Sequence, residues 1–218
     1  MLGAVLFDWT NTLVRLEWDD ALVASGHRAA LGHDDPEFTA RWRAVVLGEH
    51  GFRPYAELLA ELGVDDPDTF IDAEHEVWRA AYEVLASGPA LLDSLRSRGL
   101  KTAIVADGWP DPGRILRADA DAVGLGVLTD AMAFGEEVGS YKPAPELFLH
   151  ACRELGVDPV DAMYVGDDVE RDVQAAANVG MTTVQAMWFR ADDTPPRVEP
   201  DFLAFTALDV LNIAKRLA

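Results

Sequence analysis

From residue 88 onward the chain alternates short apolar runs of strand length with longer stretches that carry an apolar face at helical spacing. The strand-like runs are Thr102-Ala103-Ile104-Val105-Ala106, Ala162-Met163-Tyr164-Val165 and Thr182-Thr183-Val184-Gln185-Ala186. Residues 4–8, opening with Ala4-Val5-Leu6-Phe7, have the same character and are too short for an average helix. Helical patterns separate these runs: one opened by Gly88-Pro89, one over 112–122, one opened by Pro145 and one from Val169 to Val179. Gly99, Gly156 and Gly180 stand where helix C-terminal caps belong. Strands separated by helices cannot pair as hairpins. They form a parallel sheet with right-handed crossovers and helices on both faces. An apolar stretch at 127–134 and a last helix opened by the capping pair Thr206 and Asp209 extend the series, with an acidic, proline-rich surface loop at 190–200.

The segment from about 15 to 85 breaks this alternation. Its apolar residues recur at helical spacing: Trp18, Ala21, Leu22, Ser25 and Ala29; Phe38, Trp42, Val45 and Val46; Leu58, Leu59 and Leu62; Phe70, Val77, Trp78, Ala81, Tyr82 and Leu85. No strand signal intrudes, so an all-helical unit is expected. The division is residues 1–14 and 85–218 for the α/β core, with 15–84 inserted directly beyond the carboxyl end of the first strand.

Composition narrows the function. Half the residues are apolar and the formal net charge is −20. A nucleic acid or an anionic membrane surface would demand a basic face, so neither is an expected partner. An anionic ligand would have to meet its positive charge inside the site, from a lysine or a metal ion. No apolar stretch approaches the roughly 18 residues of a membrane span, and Met1 to Phe7 lacks the length and basic start of a signal peptide. The single cysteine, Cys152, lies in a helical pattern with Phe148 and Leu155 and reads as core; with no internal disulfide available, a cytoplasmic setting is expected. His27, His33, His50, His75 and His150 show no zinc-ligand spacing.

Three places carry chemistry. Asp8 ends the first strand, where ligands of open parallel sheets bind, and is a candidate nucleophile or metal ligand; the commoner role there is a turn or N-cap aspartate. Gly166-Asp167-Asp168 ends a second strand, with Asp172 one helical turn further. Parallel strands bring such ends to one rim, and clustered carboxylates repel unless a cation joins them; magnesium suits carboxylates, water and phosphate oxygens. Asp168 and Glu170 read more simply as acidic residues at a helix N-terminus. Lys142, held before Pro143, offers an ammonium to phosphate and carboxylate alike, although an exposed loop lysine reads the same way.

Taken together, Asp8-x-Thr10-x-Thr12-Leu13, Lys142-Pro143-x-Pro145-x-x-Phe148 and Gly166-Asp167-Asp168-x-x-x-Asp172, in this order around a helical insertion, resemble the haloacid dehalogenase-like hydrolase superfamily. The resemblance covers essentially the whole chain. It implies an α/β fold with a Rossmann-like parallel sheet core and an inserted all-helical cap. It also implies a nucleophile at Asp8 that forms an aspartyl-phosphate, and Mg2+ held by Asp8, by the Thr10 carbonyl and by Asp167, with Asp172 supporting or ligating. Lys142 takes the place of the family's catalytic lysine, and Ala106-Asp107-Gly108 that of its phosphate-binding loop. The expected substrate is a small phosphorylated metabolite, acted on by a monomer or homodimer.

Two positions depart from that pattern. The family's phosphatases carry an acid/base aspartate where Thr10 stands, and such assistance is worth about 10²–10⁴-fold. They also place Ser or Thr where this chain has Ala106, followed by Asp107; Asp107 points away, binds through its N–H or replaces the missing base. A phosphonate-cleaving relative would need a cap lysine, and 15–84 contains none. A metal-independent haloacid dehalogenase usually shows tyrosine at the Thr10 position, and the acidic cluster argues against it. Threonine there also occurs in cation-pumping ATPases, where the phospho-enzyme must persist. A catalytically weakened protein that binds a phosphorylated ligand is the non-enzyme alternative. Trp9, Trp18 and Trp109 are candidates for the mouth of the site, with core packing as the plainer role.

Overall fold

The structure, a computed structural model, describes residues 1–48, 52–189 and 199–218. All but the last two residues of the expected 190–200 loop lie outside that range. In chain order, β1 (Ala4–Phe7) and β2 (Val14–Arg15) precede helices α1 (Asp20–Leu31), α2 (Pro36–Trp42), α3 (Tyr55–Glu61) and α4 (Pro67–Arg79). Then come β3 (Glu83–Val84), α5 (Gly88–Arg96), β4 (Lys101–Ala106), α6 (Gly113–Ala122), β5 (Ala131–Phe134), α7 (Gly135–Val138) and α8 (Glu146–Leu155). The chain continues with β6 (Ala162–Gly166), α9 (Ala175–Asn178), β7 (Thr182–Ala186), β8 (Phe202–Ala204) and α10 (Ala207–Leu217).

Two compact units result: Met1–Arg15 with Val84–Asp107 and Ala120–Ala218, and Leu16–Glu83 with Gly108–Asp119. The first unit is built on six parallel strands in the order β5-β4-β1-β6-β7-β8. This is the α/β, Rossmann-like sheet expected from the strand–helix alternation. β1 lies in the middle, with Phe7 beside Ile104 of β4 and Val165 of β6. Ala4, Val5, Leu6 and Phe7 are wholly buried although successive side chains face opposite ways, so both faces of the sheet are covered. On one face α8 contributes Leu147, Phe148, Ala151, Cys152 and Leu155 to a core with Leu6, Ala103 and Val105. Each large apolar side chain buried this way stabilises by roughly 1.5–3 kcal/mol over its exposed state. The Thr206–Asp209 capping box opens α10 as the sequence suggests. β8 is a finding: three residues are too few to show periodicity. So are β2 and β3, two-residue strands that pair with each other at the ends of the segment read as purely helical.

The second unit is helical around Phe38, Trp42, Tyr55, Leu58, Leu59, Phe70 and Trp78. The apolar stripe expected for α1 is only partly met: Leu22 packs against the core, but the buried face is offset from it. Its buried residues are Val23, Gly26 and His27, whereas Ala21 and Ala29 are exposed and Trp18 is 43% exposed. The reason is steric: a Cβ on Gly26 would lie 2.5 Å from the Trp78 Nε1, so the helix turns its smallest residue toward the largest of α4. α4 in turn buries Glu74 and His75. The indole of Trp42 donates to Tyr55 (2.7 Å), whose hydroxyl donates to Glu74. Burial pushes the Glu74 carboxyl well above the ordinary range. His75 contacts Asp119 at 2.5 Å, and Asp119 also accepts from Arg79 (2.5 Å) and Tyr82 (2.8 Å). Burial works against a charge on His75, but Asp111 and Asp119 outweigh it and lift its pKa to about 9. His27, bonded to Thr39 at 2.8 Å, is pushed down to about 4 by burial and by Arg43.

Candidate active site

Parallel strands bring their carboxyl ends to one rim, and β1, β4 and β6 are neighbours there. Asp8 follows β1, and its N–H donates to the Val165 carbonyl (2.9 Å), so the ladder still holds its backbone. Asp172 is fully buried in a π-helical turn, Val169–Gln174, that follows β6. Such turns recur at functional sites because they re-aim side chains. Its Oδ2 accepts from the Asp168 N–H (3.0 Å). Gly166 makes room for it: a Cβ there would lie 2.5 Å from the Asp172 Cγ.

Lys142 joins these elements. Its Nζ donates to Oδ1 of Asp8 (2.7 Å) and to Oδ1 of Asp172 (2.6 Å), and lies 3.3 Å from the Tyr164 hydroxyl. That hydroxyl is also 3.0 Å from the Val105 carbonyl and 3.1 Å from Asp172. Lys142 is therefore buried and not an exposed loop lysine. Asp8, Asp167 and Asp172 each offer a carboxylate oxygen within 4.8 Å of the others. Lys142 is the ammonium paired with two of these carboxylates, Asp8 and Asp172, and the gathered carboxylate oxygens are the kind of donor set that a divalent cation takes. The strain shows in Asp8. Burial and then the nearby Asp172 raise its pKa to about 7, with Lys142 pulling the other way. Burial disfavours the Lys142 charge too, yet Asp172 and Asp8 hold its pKa well above the usual value. Three carboxylate oxygens gathered within 4.8 Å fit a hard divalent cation such as magnesium.

The other expected residues divide. Asp107 is buried and joins the group: Oδ1 accepts from the Lys142 N–H (2.6 Å) and Oδ2 from the Arg171 guanidinium. Ala106 ends β4 and is buried. Thr10 lies in the turn after Asp8 with an exposed side chain, bridged to Val14. Gly108 begins the segment that belongs to the helical unit. Asp168 is an N-cap, accepting from the N–H groups of Glu170 (2.9 Å) and Arg171 (2.7 Å). Trp9 is buried, and Trp109 packs against the helical core. Sequence reasoning missed Tyr164, which looks like any other residue of a buried strand. It also missed Arg171, whose partner lies 64 positions away. Gln185 is a third, donating to the Asp167 carbonyl (3.1 Å).

Comparison with known proteins agrees with this geometry. Residues 2–180 match the haloacid dehalogenase-like hydrolase family. The N-acylneuraminate-9-phosphatase of Mus musculus is 33% identical over 236 aligned positions, covering 96% of this chain and 91% of the relative. The glyceraldehyde 3-phosphate phosphatase of Methanopyrus kandleri is 27% identical over 239 positions, covering 100% and 99%. The crystal structure of a HAD phosphatase from Thermococcus onnurineus superposes with a TM-score of 0.76 over 97% of both chains, at 24% identity. The sheet order, the acidic cluster around Lys142 and these likenesses agree: this chain belongs to the haloacid dehalogenase-like hydrolase family.

Proposed function

We propose that this chain is a magnesium-dependent phosphatase or phosphotransferase that acts on a small phosphorylated metabolite through an aspartyl-phosphate at Asp8. One observation carries the reading: Lys142 bridges the buried Asp8 and Asp172, and Asp167 offers a third carboxylate oxygen within 4.8 Å of theirs. The phosphatase names of its relatives support it. In this assignment Asp8, Asp167, Asp172 and the Thr10 carbonyl would hold Mg2+. When bound, the ion would neutralise charge on the phosphoryl oxygens. The helical unit takes the part of an inserted cap that selects the substrate.

Asp8 uses one oxygen to accept from Lys142, and its other oxygen has no hydrogen-bond partner among the described residues. That second oxygen attacks phosphorus as the ester P–O bond breaks, and the departing alkoxide takes its proton from water, since Thr10 has no acid to lend. Water then cleaves the acyl phosphate, returning the Asp8 carboxylate and releasing inorganic phosphate. Both proton transfers lack the usual aspartate, so turnover is slow. We assign Asp107 to holding Arg171 and the Lys142 backbone, not to filling this gap, because each of its oxygens accepts from one of them.

The test is a panel of phosphate esters, with and without Mg2+, on wild type, Asp8→Asn and Thr10→Asp. Mg2+-dependent phosphate release that Asp8→Asn abolishes supports the reading, and Thr10→Asp should raise turnover by up to about 10²–10⁴-fold. Metal-independent halide release from haloacids would overturn it in favour of a dehalogenase. The missing acid/base at Thr10 and the missing hydroxyl at Ala106 favour one second reading, a protein that binds its phosphorylated ligand without useful turnover. Phosphate-ester binding to wild type with no release would select it.

A further inference from the structure

We propose that Arg171 is the residue that binds the substrate's phosphoryl oxygens, with Asp107 holding its guanidinium in place; the proposal rests on the phosphatase reading above. It begins from Lys142. An ammonium has three N–H donors, and the Lys142 Nζ faces three acceptors, Asp8, Asp172 and the Tyr164 hydroxyl, at 2.7, 2.6 and 3.3 Å. Buried as it is, this lysine spends two donors on the carboxylates and leaves at most its third, the 3.3 Å contact to Tyr164, for a phosphate. The neighbouring strand end does not help, because Ala106 has no hydroxyl there. An incoming dianion therefore needs another fixed positive donor, in a chain whose net charge of −20 repels it.

Arg171 meets that need. It sits in the π-helical turn directly before Asp172, and its backbone N–H is anchored on Asp168 (2.7 Å). Its guanidinium gives one terminal nitrogen to Asp107, which is itself fixed by the Lys142 N–H at 2.6 Å. A guanidinium carries five N–H donors in a planar fork suited to two oxygens of one phosphate. The others have no partner among the described residues, and the side chain is 48% exposed. Asp107, which alone would repel phosphate beside Asp8, thus becomes the positioning residue of a cation. An acid in this loop and an arginine in the next motif are two halves of one device.

The experiment titrates wild type, Arg171→Ala, Arg171→Lys and Asp107→Asn with inorganic phosphate by calorimetry at fixed Mg2+, and measures KM and kcat for phenyl phosphate. Loss of a charge-assisted hydrogen bond predicts phosphate binding weakened, and KM raised, by about tenfold or more in Arg171→Ala, with kcat falling less than KM rises. Arg171→Lys should recover part of the loss. Asp107→Asn should raise KM with Arg171 still present. Adding Ala106→Ser to Arg171→Ala should restore some phosphate binding, a rescue that a merely structural arginine would not show. Phosphate affinity and KM within twofold of wild type in Arg171→Ala would overturn the proposal. So would wild type that fails to bind phosphate, or a KM effect confined to esters with a second anionic group. If wild type binds phosphate but hydrolyses no ester, the phosphatase reading falls, while the titration still decides the role of Arg171.

Discussion

The Nζ of Lys142 stands 2.7 Å from Oδ1 of Asp8, across 134 residues of sequence, and both groups are buried. Lys142 is thus the counter-ion of the carboxylate cluster. In Lys142→Met the buried Asp8 and Asp172 lose the ammonium that bridges them, and breaking such a pair costs about 3–5 kcal/mol. Urea unfolding without Mg2+ should show this loss, larger at pH 8 than at pH 5, because Asp8, with its pKa raised to about 7, takes up a proton as the pH falls. A loss below about 1 kcal/mol at pH 8 would show that Lys142 does not hold the cluster together.

Magnesium should supply the same compensation. A cation that binds only the folded chain stabilises by about 2.7 kcal/mol at a hundred times its dissociation constant. The thermal midpoint should rise with Mg2+ and return on chelation, and Asp167→Asn and Asp172→Asn should each blunt the rise. An unchanged midpoint in wild type would remove the cluster as a cation site.

Gly166→Ala probes the packing beneath Asp172. The new Cβ would meet the Asp172 carboxyl at 2.5 Å, and overpacking of this kind costs about 1–3 kcal/mol. Because the displaced group is a proposed ligand, the variant should lose Mg2+-dependent stabilisation out of proportion to its thermal destabilisation. Equal Mg2+ response in both proteins would count against it.

Two histidines of the helical unit should titrate far apart. His75, lifted to about 9, stabilises the fold fully below its ordinary value of 6.5, and this contribution fades as pH rises through 9. His27, lowered to about 4, behaves oppositely: its contribution is complete above 6.5 and fades as pH falls toward 4. Together they place the unit's greatest stability near pH 6.5. Imidazole proton shifts followed by NMR should give the two values, and Asp119→Asn should lower that of His75. A His75 midpoint below 7 would contradict the pairing with Asp111 and Asp119.

The legible parts of this chain were those where one residue type has one use. β1, β4, β6 and β7 are continuous apolar runs because both their faces are buried, and they stand where the sequence suggests. Asp8 and Asp167 follow neighbouring strands and come together at their carboxyl ends, and the loop residue Lys142 and Asp172 of the following turn join them. The face of α1 was misread because its burial turns on the fit of Gly26 to Trp78 and not on hydrophobicity. Glu74 and His75 lie hidden in α4 for a related reason: their partners Tyr55 and Asp119 come from other helices. Arg171 gives no signal in the sequence and Asp107 leaves three roles open, because their contact joins residues 64 positions apart.

Lys142 also works as a gauge of alignment. Its backbone is tied to the residue after β4, and its side chain to the residues after β1 and beyond β6. A strand advances about 3.3 Å per residue, more than the whole length of any of these bonds. Adding or deleting a single residue in one of the three strands would carry its acid past the reach of the ammonium, even if the sheet itself re-formed. Lineages of this chain are therefore free to vary the lengths of their outer loops and helices, but the three strand lengths can change only in concert.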